Sequence, residues 1–153
     1  MSRLFALAAR HDTVRAGHAA VVGLTPPQYT VLVSCAHMQE TGPVRIKHLA
    51  AHLNVSATFV TVEVKNLANR GLLHKQRNAA DSRVVDISVT DEGLDLLESL
   101  APVQQQVNDQ QFADLSRAEF QDLLRLTETL IANSERAIAL QSYLAAAQPA
   151  GPR

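Results

Sequence analysis

The sequence predicts a mainly α-helical chain with a small β-hairpin wing, organised as a winged helix-turn-helix lobe plus a helical dimerisation region. Three observations predict it. Residues Ser56–Gly71, SATFVTVEVKNLANRG, form a capped amphipathic helix closed by a glycine stop. Two short β-branched or apolar runs, Leu72–Gln76 and Val84–Val89, then bound the polar tip RNAADSR. Finally, seven Lys and Arg between Arg45 and Arg83 meet only Glu63 and Asp81, whereas from Asp91 to Leu140 ten acids meet three arginines. A near-neutral total built from a basic middle and an acidic end points to a local anionic partner.

Length and composition set the frame. With 153 residues, 46% of them hydrophobic, the chain has enough apolar material for one core-bearing domain, which excludes wholesale disorder. No run reaches the roughly 18 consecutive apolar residues of a membrane span. The start, MSRLFALAARHD, lacks a long apolar region and a cleavage site, so a cytoplasmic protein is expected, with no membrane partner. The single cysteine, Cys35, excludes an intramolecular disulfide framework and a cysteine-only zinc site. No phosphate-cradling glycine loop, serine elbow or paired carboxylates in an apolar setting argue for an enzyme. No cofactor and no metal are expected.

Taken in order, residues Ser2–Val22 read as a helix whose apolar residues Leu4, Phe5, Leu7, Ala8, Val14 and Val21 are scattered and call for a partner surface. Thr25 caps the next helix, with Pro26 in its first position and Gln28 completing a capping box; Leu24 and Tyr29 take the staple positions. The run YTVLVSCA is apolar nearly all round, which predicts a buried helix with Cys35 as a small, inert core residue. After the Gln39–Pro43 turn, VRI suits a short strand. Residues Lys47–Leu53 suit a short helix with Leu49, Ala50 and Leu53 inward, broken at Asn54. Val55 and Val60 can staple the following helix, and Val60, Val64 and Leu67 recur at core spacing. Two helices joined by a tight turn, the second with a small polar outer face, make a helix-turn-helix. Thr90 caps a further helix with Asp91 and Glu92 in its first turn, stapled by Val89 and Leu94; Leu94, Leu97, Ala101 and Val107 continue as its stripe. Pro102 is expected to bend or interrupt it. Ser116 and Glu119 form a second capping box, stapled by Leu115 and Phe120, before a helix bearing Leu123, Leu124, Leu126, Leu130, Ile131 and Ile138. The expected division is 24–90 for the winged lobe, 1–23 and 91–145 for the dimerisation region, and 146–153 as a disordered Ala/Pro/Gly-rich tail.

The run VSATFVTVEVKNLANRGLL, followed by RNAADSRVVDISVTDEG, resembles the MarR family of bacterial transcriptional regulators. The family's Asp-x-Arg in the wing tip, with Thr and then Gly downstream, is matched by Asp81, Arg83, Thr90 and Gly93, and LTPPQYTVL fits the entry to the second helix. The resemblance covers roughly residues 4–142. It implies a homodimer that binds a pseudo-palindromic double-stranded DNA operator. It further implies a repressor released by a small molecule, often an anionic aromatic, held between dimer and DNA lobes.

Carried over residue by residue, the resemblance puts Ala57, Thr58, Thr61, Val62 and Asn66 against bases, with Lys65, Arg77 and Ser82 as further DNA contacts. Arg83 resembles the wing arginine of the minor groove, whose narrow A·T-rich stretches hold a deep negative potential; Asp81 shapes that turn. Val62 stands where the family often has arginine, and Glu63 adds an acid nearby, so methyl and hydroxyl contacts replace arginine-to-guanine readout. Lys47 and Arg70 are assigned to phosphates or solvent. His11, Arg15, His18 and Tyr29 fall near the family's effector pocket, where Arg15 could meet a carboxylate. His48 and His52 share a helix face but lack a third ligand, which makes them a solvated pair. Two alternatives stay open. One is a helical protein-interaction module that has lost specific DNA reading, suggested by Glu63 and the missing arginine. The other is a regulator that senses oxidants through Cys35.

Overall fold

The computed structural model describes residues 2–78 and 85–147. The elements run α1 (Ser2–Val21), α2 (Pro26–Gln39), β1 (Val44–Arg45), α3 (Ile46–Leu53), α4 (Ala57–Asn69), β2 (Leu73–Arg77), β3 (Val85–Val89), α5 (Asp91–Gln111) and α6 (Arg117–Ala147). The chain divides into two compact units, Met1–Val107 and Asn108–Arg153. No single helix is long and apolar enough to cross a membrane.

Local chemistry sets most boundaries in the first unit. At the start of α2, Thr25 Oγ1 accepts from Gln28 N while Gln28 Oε1 accepts from Thr25 N, so two otherwise orphaned amides are satisfied reciprocally. Asn54 ends α3 in the left-handed region at φ 52°, and Ser56 Oγ accepts from Phe59 N two residues on to open α4. Gly71, at φ 74°, closes α4: Leu72 N donates to Leu67 O and Gly71 N to Ala68 O, the paired bonds of a Schellman stop. One core cluster fills this unit, with Leu32, Leu49, Val60, Val64, Leu67, Val44, Ile87 and Leu100 among its most buried members.

The three strands form one antiparallel sheet in the order β1-β3-β2. Val44 faces Ile87 and Arg45 faces Asp86 on one side of β3, while Leu73 faces Val89 and Arg77 faces Val85 on the other. Arg45 Nε donates to Asp86 Oδ1 at 3.2 Å across that register. Gln39 at the end of α2 fixes the outgoing strand by accepting from Val89 N at 2.9 Å.

Two expectations for α5 are corrected. Its buried face is Gly93, Leu96, Leu97 and Leu100, with Leu94 and Ala101 exposed, so the stripe lies about one residue away from Leu94–Leu97–Ala101–Val107. Gly93 sets this rotation by packing on Leu72 O and Val89 Cγ1. Pro102 lies inside α5, so of the bend or interruption expected there the interruption does not occur; proline removes one amide but leaves the rest of the ladder available.

In the second unit, Ser116 and Glu119 cap α6 as expected: Ser116 N donates to Glu119 Oε2 at 2.8 Å and Glu119 N to Ser116 Oγ at 3.3 Å. These bonds hold the Glu119 carboxyl below the usual carboxylate range. Phe120 stacks edge-on with Phe112, their ring centroids 5.2 Å apart.

Candidate nucleic-acid interface

The candidate interface is built on α4. Its buried face, Val60, Val64 and Leu67, anchors it against the core, and α2 and α3 brace it on that side. On the far side Ala57, Thr58, Thr61, Val62 and Lys65 are all exposed. At 3.6 residues per turn, Thr58, Val62, Lys65 and Asn69 lie opposite the core, with Thr61 on the flank. A presented, unpacked face on a capped helix is what entry into a groove about 12 Å wide requires.

The sequence-predicted readers are not equivalent. Thr61 Oγ1 donates to Ala57 O at 2.7 Å, so its hydroxyl hydrogen is held by its own helix. Asn66 is half-buried and its Nδ2 donates to Glu63 Oε2 at 3.4 Å. Lys65 is an exposed cation on the presented face, and Arg77 is exposed at the end of β2. Asp81, Ser82 and Arg83 lie in segment 79–84, outside the described residues.

Several functional-looking residues turn out to hold the fold. Arg70 Nη1 donates to Gly23 O at 2.9 Å and so ties the end of α4 to the α1–α2 turn, a role beyond the expected one at phosphate or in solvent. The Arg45–Asp86 pair, joined by Asn78 Nδ2 to Asp86 Oδ2 at 2.6 Å, braces the base of the wing. The Asn78 bond, with Arg45 adding to it, holds the Asp86 carboxyl below its ordinary range. Sequence reasoning missed this brace because its two charges lie 41 positions apart and meet only once β1 pairs with β3.

A second cluster lies between α1 and α2. Arg15 Nη1 donates to Thr30 Oγ1 at 2.6 Å and Nη2 to Asp12 Oδ1 at 3.0 Å. His18 is buried edge-on against Tyr29, with ring centroids 6.1 Å apart. Arg15 Nε and His18 Nε2 are buried without a hydrogen-bond partner among the described residues. Burial raises the Tyr29 hydroxyl above its ordinary pKa. His11 is exposed on α1. Of the four residues predicted for an effector pocket, the fold thus gathers Arg15, His18 and Tyr29, and adds Thr30.

Cys35 is fully buried in the core, and desolvation pushes its thiol up to about 11. The protonated thiol is a poor nucleophile. His48 and His52 are exposed, and among the described residues no group of three or more His, Cys, Asp or Glu is placed to hold a metal ion.

Helix-turn-helix and wing together give a recognisable geometry, and residues 22–84 match the MarR family model. That segment is thus similar to the MarR family. The chain is 34% identical over 71 residues to the HTH-type transcriptional repressor MdtR of Bacillus subtilis (strain 168), covering 46% of this chain and 44% of that protein. It thus aligns with less than half the length of that relative. It also resembles the crystal structure of a probable transcriptional regulator from Pseudomonas aeruginosa, with a TM-score of 0.66, 26% identity, and coverage of 85% of this chain and 96% of that one. A MepR-like protein crystallised with pseudoligands matches with a TM-score of 0.60 and 28% identity over 85% of this chain and 89% of its own.

Proposed function

We propose that this chain is a MarR-family, sequence-specific regulator of transcription that binds a pseudo-palindromic duplex as a homodimer and represses until a small molecule releases it. The observation that carries this reading is the outer face of α4, held rigid by caps at both ends yet packed against nothing. Lys65 and Arg77 supply cations to that side. The MdtR resemblance, to a protein named as a repressor, supports the direction of control. Arg83 in the 79–84 segment is assigned to the minor groove, with Asp81 shaping its turn and Ser82 as a further contact.

Dimerisation is supported by apolar side chains left uncovered: Leu4, Phe5 and Leu7 on α1, and Leu124, Leu130, Ile131 and Ile138 on α6. A 31-residue helix with no buried residue of its own implies a partner surface. Effector release is assigned to the α1–α2 cluster. The unpartnered Arg15 Nε and His18 Nε2 suit an anionic acceptor, and the Tyr29 ring suits an aromatic body.

The test is an anisotropy titration of wild type and Arg83→Ala against a promoter duplex and a scrambled duplex, each at two salt concentrations. Wild type is expected to prefer the promoter. Arg83→Ala should weaken that binding at least tenfold, with the protein still folded. Unchanged affinity removes the wing from the mechanism. Weak binding that is equal for both duplexes replaces DNA reading by the protein-interaction module.

A further inference from the structure

The presented face of α4 is short of hydrogen-bonding readers. The helix carries no arginine, so the forked arginine contact to guanine O6 and N7 is absent from it and Lys65 is its one cation. Reading adenine takes both ends of an amide, but Asn66 is half-buried and gives one of its amide hydrogens to Glu63, whose negative charge sits beside it, and Asn69 stands in the last turn of the helix. Thr61 has its hydroxyl hydrogen engaged by Ala57 O. What stands at the centre of the face is Val62, 49% exposed, with Thr58 one turn before it and Lys65 one turn after. A β-branched apolar residue at an exposed helix position loses rotamer freedom and gains no packing within the fold.

We infer that Val62, with Thr58 beside it, is the specificity-determining residue of α4 and selects thymine through its C5 methyl in the major groove. Thymine is the base that presents an apolar group on that edge, and an isopropyl side chain has nothing else there to recognise. Lys65, one turn further along, takes a phosphate and fixes the register. Because the contact is to a methyl and not to the pairing edge, 5-methylcytosine satisfies it as well, since its methyl occupies the same position on the ring. This inference rests on the DNA-binding reading above.

The test uses the full chain and a duplex enriched by it from a random-sequence pool. That duplex is resynthesised with deoxyuridine for thymidine, which removes the methyl and keeps every hydrogen-bonding group. Wild type should bind the deoxyuridine duplex about fourfold more weakly for each contacted methyl. Val62→Ala should bind both duplexes alike, near the wild-type affinity for the deoxyuridine form. With a cytosine·guanine pair built at the contacted position, wild type should bind the duplex carrying 5-methylcytosine there more tightly than the one carrying cytosine, and Val62→Ala should bind the two alike. Equal affinity of wild type for both duplexes overturns methyl reading while leaving DNA binding intact. A thymidine preference of the same size in Val62→Ala also overturns it, because the methyl would then act through DNA shape. If the pool yields no enriched duplex, the DNA-binding reading fails and methyl reading with it.

Discussion

Gly93 stands where the chain leaves the wing for α5, and there is no room at that position for a side chain. A Cβ added there meets Leu72 O and lies 2.7 Å from Val89 Cγ1, so the backbone of one strand connection would have to shift. Gly93→Ala is therefore expected to destabilise the fold by about 1–3 kcal/mol, the range for overpacking a filled site. Urea unfolding followed by circular dichroism checks it; an unchanged midpoint would mean that the close approach relaxes without cost. The family resemblance places a glycine here, and the packing against Leu72 supplies the physical reason. Cys35 makes the converse point. A lone cysteine invites a redox reading, but full burial and a thiol pushed up to about 11 make it core material.

At the scale of elements, what was legible was local. Both capping boxes, the Asn54 break, the Ser56 cap and the Gly71 stop depend on residues within five positions of one another, and each forms as the sequence predicts. Non-local geometry was not legible. The spacing of leucines along α5 admits more than one stripe, and the choice falls to Gly93, whose constraint comes from Leu72. In the same way Arg70 looks like a surface cation until Gly23 O is seen beside it. The Arg45–Asp86–Asn78 brace is a testable case. Asp86 has a folded pKa below its unfolded value of about 4, so its contribution is present above that value and fades as the pH falls through the folded one. The thermal midpoint of wild type should exceed that of Asp86→Asn at pH 7, with the gap closing on acidification below about pH 4. A gap independent of pH would assign the effect to packing instead of charge.

For the whole molecule, the uncovered side chains of α1 and α6 decide what the chain does in solution. Leu130 and Ile131 are more than half exposed, and burying each such side chain in an interface is worth roughly 1.5–3 kcal/mol. Light scattering is expected to give twice the 16.6 kDa chain mass, and Ile131→Asp is expected to lower it towards one chain. A wild-type mass of one chain would remove the twofold, and with it the pseudo-palindromic operator. The candidate DNA face was legible as a position on a helix. Its chemistry was legible only in part, since the bonds that occupy Thr61 and Asn66 are invisible in residue types alone.

Thr90 has one further consequence. Its hydroxyl donates to Gly71 O at 2.6 Å and accepts from Gly93 N at 3.1 Å, so one oxygen pins the residue after α4 to the first turn of α5. The two helices share a pivot there. The helix that bears the candidate DNA face and the helix that leads out of the wing are tied at a single threonine.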